Sequence, residues 1–223
     1  LYPIHVAQEV RGRVVGLEHQ KKLLEAEVLA DTEVDVRPIR RIDASPAKGI
    51  VRAALEHEVT LIVMGWRGKP TFRRNIFGTM LDEVIWHAAA PVLVGRLTTP
   101  INGMQRVVLV VPRNSLTPGF IGKTVDVALE IAQAVNVPLV VLAVDQYWDA
   151  LEACIRERGI EHPIVMERLA DNLVQDTVAR VKEDDLMVVA TVGSAGRFRS
   201  ILGTIPEQLV SATEGSIVVI HYP

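Results

Sequence analysis

Residues 61–79 read LIVMGWRGKPTFRRNIFGT, which is an apolar run, a loop with three glycines and the start of a helical pattern. The apolar run at 61–64 predicts a buried strand, and the spacing of apolar residues over 80–87 predicts a helix. Glycines let a backbone approach an anion closely, and a helix start offers unpaired N–H groups and a favourable dipole. The loop between the predicted strand and the predicted helix is therefore a candidate nucleotide site.

Four cationic side chains strengthen that interpretation: Arg67, Lys69, Arg73 and Arg74. They can neutralise phosphate charge that backbone donors alone would leave partly uncompensated. Two alternatives stay open, a tight strand-to-helix turn without a ligand and a basic loop that faces solvent or another subunit. Trp66 could stack on a base, or it could seal the loop against its neighbour.

The same pattern recurs 125 residues later, with residues 186–189 in the place of 61–64. The register holds without a gap from about residue 34 to residue 97. Self-similarity at domain-sized spacing predicts duplication of one unit. The second copy has Ala190 where the first has Gly65, so we expect a weaker ligand site there, with these candidate residues: Gly193, Gly203 and Thr204.

Apolar strands alternate with helices along the chain, which is typical of a parallel sheet covered on both faces. In the second half we predict strands at 106–112, 138–145, 162–168, 186–191 and 216–222, and helices at 119–134, 147–158, 171–183 and 205–212. In the first half we predict strands at 2–7, 34–42, 61–64 and 91–95, and helices at 16–30, 46–58 and 80–87. The predicted fold is α/β, with two tandem Rossmann-like units and parallel sheets.

Turn-forming residues around position 100 predict a short linker. The predicted units are 1–97 and 106–223, joined by residues 98–105. The first unit has one strand and one helix fewer than the second, and the missing strand would be central in such a sheet. We therefore expect the first unit to be N-terminally incomplete in this chain.

Composition limits the partners of the chain. With 223 residues, 49% of them hydrophobic and 23% charged, it is expected to form one or two globular domains. A net charge of −3 and an aromatic content of 4% argue against nucleic acid as a partner. The chain has a single cysteine, Cys154, so it can form no internal disulfide, which suits a reducing compartment. Cys154 is predicted to be a small core residue. The scattered histidines predict no structural metal.

The spacing Gly65-x2-Gly68-x9-Gly78-Thr79 after a strand resembles the ATP-binding signature of the universal stress protein family. The resemblance implies a five-stranded Rossmann-like sheet that dimerises through its last strand and binds ATP or AMP, with Mg2+ only if ATP is bound. On that pattern the residues expected at the phosphates and ribose are Met64, Gly65, Gly68, Gly78 and Thr79, with Arg73 and Arg74 from the basic loop. Val6 is implied at the adenine wall.

Residues 43–55, 77–82 and 206–223 are similar to the tandem stress-protein tail that follows the membrane domain of bacterial cation/proton antiporters. This resemblance implies a transporter domain in the same natural chain and a place at the cytoplasmic face of the membrane. It also implies a pseudo-dimer of the two units within the chain, and a homodimer is a further expectation.

The leading hypothesis is a nucleotide-binding regulatory module, because no confident nucleophile, general base or metal ligand set occurs in the sequence. Two alternatives remain, a slow ATP hydrolase that needs a carboxylate for Mg2+ and a structural tail that only dimerises a larger protein. Residues 122–124 resemble the end of a P-loop, but the required first glycine is replaced by Thr117. We interpret them as part of a helix.

Overall fold

The computed structural model describes residues 1–15, 35–66, 79–111, 118–170, 172–192 and 204–223. The strands in these residues are β1 (Ile4–Val10), β2 (Arg13–Val15), β3 (Ile39–Asp43), β4 (Ile62–Gly65), β5 (Val92–Arg96), β6 (Arg106–Val111), β7 (Leu139–Ala143), β8 (Ile164–Arg168), β9 (Asp185–Val192) and β10 (Ser216–Tyr222). The α-helices are α1 (Pro46–Glu56), α2 (Thr79–His87), α3 (Pro118–Val135), α4 (Asp145–Glu157), α5 (Leu173–Arg180) and α6 (Thr204–Ala212).

A seven-stranded sheet in the order β4-β5-β10-β9-β6-β7-β8 forms the centre of the molecule. All neighbouring strands are parallel except β5 and β10. Strands β6, β7, β9 and β10 are buried along almost their whole length, because helices cover both faces of this part of the sheet. The predicted α/β class with a mostly parallel sheet is therefore confirmed.

Helices lie in two layers over the second half of the chain. Helix α3 packs against α4, and α5 packs against α6. The side chains between these layers and the sheet are apolar residues with almost no exposure, and the largest of them include Leu109, Leu139, Leu142, Met187, Leu209 and Ile220. This apolar core fixes the strand ends on which a site could be built.

The first half of the chain divides between two sheets. Strands β4 and β5 belong to the seven-stranded sheet, whereas β1 and β3 pair in parallel in a separate sheet of order β2-β1-β3. Within the described residues, no strand joins the small sheet to the large one, and β2 and β3 occupy the two edges of β1. That the first unit is N-terminally incomplete in this chain stays a prediction.

The sequence analysis missed β2, which forms a hairpin with β1. Arg11 and Gly12 make the two-residue turn with φ values of 51° and 76°, as a type I′ turn requires. Because of this hairpin, β1 extends to Val10 instead of ending at residue 7. The helix predicted at 16–30 lies outside the described residues.

The other predicted elements are found, with ends that differ by a few residues. The last strand matches the prediction, and α2 begins one residue earlier, at Thr79. Strand β3 begins at Ile39, five residues later than predicted, and α5 ends at Arg180 instead of residue 183. In the described part of the chain, no helix is both long enough and apolar enough to cross a membrane.

Candidate functional site

The carboxyl end of β4 is the described part of the predicted nucleotide site. Met64 is half-buried there, and Gly65, the last residue of the strand, is exposed. Among the described residues, no other group lies within 4 Å of a Cβ atom added to Gly65. Strand β5 holds the strand end in place, because the Trp66 N–H donates to the Gly95 carbonyl at 2.8 Å.

The side chain of Trp66 is buried at the carboxyl end of β4. Its side chain is only 6% exposed, and the guanidinium of Arg96 lies 4.8 Å from its ring centroid. A ring packed in this way is not available to stack on a base. Of the two interpretations of Trp66, the buried ring contradicts stacking on a base, and the loop that it would seal lies outside the described residues.

Helix α2 begins at Thr79 and directs its N-terminal N–H groups towards the end of the glycine loop. Its first turn also carries Asp82, which is buried, and Glu83 follows. These carboxylates interact favourably with the dipole of α2, but their negative charge repels a bound anion. Phosphate binding would therefore need the cations of the loop. The remaining predicted residues of that loop lie outside the described residues: Gly68, Arg73, Arg74 and Gly78.

The loop after β3 adds polar groups that the sequence analysis did not single out. Asp43 is buried at the end of β3, where its carboxylate accepts from Arg52 Nη1 at 2.8 Å and from the Ser45 N–H at 3.4 Å. Burial would raise the pKa of Asp43, but the Ser45 N–H and the charge of Arg52 outweigh it, so the pKa is lowered. The signal in the sequence that could have identified Asp43 is its position directly after the strand predicted at 34–42.

Ser45 also connects this loop to the predicted site. Its hydroxyl lies 3.4 Å from Glu83 Oε2, which joins the start of α1 to the first turns of α2. Helices α1 and α2 pack against each other beyond this contact. The ends of β3 and β4 are thereby held on the same side of the first half.

Val6, the predicted adenine-wall residue, lies in the middle of β1 and is half-buried. Its side chain packs against Gly49 of α1, so closely that a Cβ on Gly49 would be 2.6 Å from Val6 Cγ1. The structure thus places Val6 in the small sheet and Met64 and Gly65 in the large one. Contact of Val6 with a base stays a prediction.

The corresponding place in the second half is closed. Ala190, which stands where Gly65 does, is 0% exposed because β9 has neighbours on both edges. Gly193 and Gly203 lie outside the described residues, and of Thr204 the structure describes only its place at the start of α6. The described residues therefore offer an open backbone in the first half and a buried one in the second.

Near the same end of β9, the hydroxyl of Thr191 lies 2.9 Å from Nδ1 of His221. Both side chains are buried, and burial lowers the pKa of His221 to about 4. The imidazole is therefore neutral at physiological pH. It is a structural group of the interior and carries no charge for a ligand.

The other sequence candidates have structural roles. Residues 122–124 lie inside α3, as we interpreted them. Cys154 is half-buried and packs against the core, and burial raises the pKa of its thiol. No group of three or more metal-ligating side chains occurs in the described ranges.

The fold and this strand end define the class: an α/β protein whose candidate ligand loop lies at the carboxyl end of a parallel strand, before a helix. Within that class, residues 5–96 match the model of the universal stress protein family. The family resemblance seen in the glycine spacing is thereby confirmed.

A curated relative extends the comparison to transport proteins. The chain is 33% identical over 119 residues to the Na(+)/H(+) antiporter NhaS5 of Synechocystis sp.. The match covers 52% of this chain but 16% of the relative, so the chain spans about a sixth of the antiporter's length. The resemblance to an antiporter tail is in keeping with this match.

Solved structures share the fold at low sequence identity. A provisionally assigned universal stress protein from Pseudomonas aeruginosa UCBPP-PA14 has a TM-score of 0.70 at 16% identity, over 99% of this chain and 82% of that one. A universal stress protein from Archaeoglobus fulgidus DSM 4304 has a TM-score of 0.61 at 18% identity, over 91% and 75%. The cytoplasmic domain of a prokaryotic cation chloride cotransporter has a TM-score of 0.61 at 10% identity, over 98% and 84%. At these identities the likeness supports the fold alone.

Proposed function

We propose that this chain is an adenine-nucleotide-binding regulatory module, with ATP or AMP held by the loop between β4 and α2. The observation that carries the proposal is the exposed glycine at the carboxyl end of β4, where no group of the described residues lies within 4 Å of a Cβ added to Gly65. In the second half the equivalent Ala190 is fully buried, because β9 is a central strand whereas β4 lies at the sheet edge. The first loop is therefore the proposed site, and the second is the weaker candidate.

The chemistry of the site fits an anionic ligand held by backbone and cations. Exposed glycine backbone and the N-terminus of α2 supply N–H donors, and the loop sequence supplies Arg73 and Arg74. Asp82 and Glu83 in the first turns of α2 disfavour a bare polyphosphate. Mg2+ would accompany ATP, and AMP would need no metal.

We further propose that the chain is a tandem pair of units joined as a pseudo-dimer. A shift of 125 residues carries β3 onto β8 and α2 onto α6 with the same ends in each case. The last strands of the two halves, β5 and β10, pair antiparallel, with Val94 opposite Val219. This pairing agrees with the dimerisation through the last strand that the family resemblance implies.

The proposed biological setting is the cytoplasmic regulatory tail of a cation/proton antiporter. The support is the 33% identical antiporter relative and the fold shared with a cotransporter's cytoplasmic domain. In that setting, nucleotide occupancy in the first half would be communicated to the transporter through the seven-stranded sheet. Transported ions would not bind to this module itself.

The continuous sheet also favours one alternative, a structural tail that binds nothing, since β5 and β10 join the halves without a ligand. Chromatography and mass spectrometry of nucleotides released on denaturing the purified chain separate the two functions. The proposal predicts about one adenine nucleotide per chain, and a structural tail predicts none. Phosphate release from ATP above buffer, abolished by Gly68→Glu, would instead favour the slow hydrolase.

A further inference from the structure

Strand β4 has an unpaired edge, unlike the corresponding strand of the second half. A shift of 125 residues carries β4 into β9, which pairs with β10 on one edge and with β6 on the other. Among the described residues, β4 pairs only with β5. The N–H groups of Ile62 and Trp66 donate to β5, so the N–H group of Val63 points to the unpaired edge. An edge of this kind can bind an added strand.

One face of β4 and β5 is also uncovered. Val63 and Leu93 are register partners, so their side chains lie on the same face. Val63 is 66% exposed, whereas Val188, which stands at the same place in β9, is 0% exposed. On the opposite face, Ile62 and Val92 are buried. The first half therefore leaves exposed an apolar face that the second half buries.

The elements that cover β9 in the second half indicate what fits this surface. There β6 occupies the edge of β9, and α3, which follows β6, packs on β6 and β7. Strand β6 is apolar and buried over residues 107–111, and α3 buries Val125, Ala128 and Ala132. The uncovered edge and face of the first half therefore fit a parallel apolar strand followed by an amphipathic helix.

Strand β1 forms the other side of the gap that such a strand would fill. Ile4 pairs with Ile39 as Leu139 pairs with Ile164, so β1 takes the place of β7 beside β3. Strand β2 pairs with the last three residues of β1, and residues 4–7 have no described strand on that edge. Helices α1 and α2 pack together as α5 and α6 do. A strand between β4 and β1 would therefore join the two sheets, as β6 joins β9 to β7, and β2 would keep its place.

The start of β1 indicates where the helix would end. Pro3 stands directly before β1 as Pro138 stands before β7, and Leu1 takes the place of Asn136, the residue that follows α3. The Pro3 carbonyl accepts from the Ile39 N–H at 2.8 Å, which holds this connection against the start of β3. A helix at the place that α3 has in the second half would therefore lead into Leu1.

We propose that the edge of β4 and the uncovered face of β4 and β5 bind a strand and an amphipathic helix of the natural polypeptide that lead into Leu1. The strand runs parallel to β4, between β4 and β1, and the helix covers Val63. Because Val110 of β6 pairs with Val189, the corresponding residue of the docked strand lies beside Met64 and borders the proposed nucleotide loop. The docking itself does not depend on nucleotide binding.

A fused chain tests this proposal, with a copy of residues 106–135 added directly before Leu1 as the strand and helix. The reporter is Val63→Cys, in chains that also carry Cys154→Ala so that the reporter is the only thiol. We expect a maleimide to modify the reporter readily in the unfused chain and at least tenfold more slowly in the fused chain. Val165→Cys is the matched control, because Val165 is 50% exposed on β8 at the other edge of the same sheet, and its rate should not change.

A second fused chain, in which the added copy alone carries Val108→Lys and Val110→Lys, should not protect Val63→Cys, because its strand can no longer be buried. Equal rates in the fused and unfused chains, both folded by far-UV circular dichroism, would overturn the proposal. Equal protection by the copy with the two lysines would overturn it as well. Slow modification of Val63→Cys in the unfused chain would also do so, and a dependence of that rate on protein concentration would identify a second copy as the occupant.

Discussion

Arg96 packs its guanidinium on the ring of Trp66 and, with the same side chain, donates hydrogen bonds to the Thr213 and Gly215 carbonyls. Trp66 directly follows β4, and the two carbonyls lie between α6 and β10. One side chain therefore connects the strand end at the proposed nucleotide loop to the second half. Ser216 continues this contact, because its hydroxyl accepts from the N–H groups of Thr98 and Thr99 at 3.0 and 3.1 Å.

Arg96→Met is expected to destabilise the chain by about 1–3 kcal/mol, because the Thr213 and Gly215 carbonyls lose a charged donor in a partly buried place. Urea unfolding at equilibrium, followed by far-UV circular dichroism, measures the change in the free energy of unfolding. Arg37→Met is the matched control, since Arg37 is 68% exposed and pairs with Asp35 at the surface. An equal effect of both substitutions would show that Arg96 does not hold the halves together.

His221 should make stability depend on pH between about 4 and 6.5. Its pKa is about 4 in the folded chain, below its ordinary value of 6.5, so the unfolded chain binds more protons in that interval. Stability therefore falls as the pH is lowered from 6.5 towards 4, by about 3 kcal/mol for this group.

The contribution of His221 is the difference between the wild-type chain and His221→Gln, each measured by urea unfolding at several pH values. Carboxylates titrate in both proteins, and the comparison removes their effect. A wild-type curve parallel to that of the variant over the whole interval would contradict a buried, neutral imidazole. Above pH 7 the two curves should be parallel, because the imidazole is neutral in both states.

We predict that position 49 requires glycine, because α1 lies too close to Val6 there for a larger residue. An alanine there would place Cβ 2.6 Å from Val6 Cγ1 and 3.0 Å from Val6 Cγ2, which forces β1 and α1 apart. We expect Gly49→Ala to cost about 1–3 kcal/mol despite the better helix propensity of alanine. Gly65→Ala is the control, since no group of the described residues lies within 4 Å of its added Cβ, and the free energy of unfolding should change by less than about 0.5 kcal/mol.

Val6→Ala added to Gly49→Ala should restore part of the lost stability, because it removes the two methyl groups that the new Cβ would meet. Thermal unfolding of the two single variants and the double variant measures the coupling. Strictly additive effects would mean that the two residues do not touch.

Most of the fold could be predicted from the sequence because buried parallel strands are nearly continuous apolar runs. Strand β10 and helix α2 illustrate this, since apolar periodicity defines their ends to within a residue. The β1–β2 hairpin could not be predicted in the same way. Its Arg11-Gly12 turn follows a strand with exposed polar residues, and its second strand is only three residues long.

Only the part of the candidate site that is formed by backbone groups could be predicted from the sequence. Glycine spacing identified Gly65, and its open position in the structure follows from having no side chain at a strand end. The packing of Trp66 depends on Arg96, which lies 30 positions away in sequence, so only the structure could exclude stacking on a base. Asp43 and Ser45 gain their contacts from α1 and α2, which local sequence does not reveal.

The proposed function requires that the first loop binds an adenine nucleotide and that the second loop binds it weakly or not at all. This difference is measured by calorimetric titration of ATP and AMP into the wild-type chain, Gly78→Val and Gly203→Val. We expect one saturable site that Gly78→Val abolishes with little change in Tm and that Gly203→Val leaves largely intact. Unchanged affinity in Gly78→Val, or an equal loss in both variants, would contradict it.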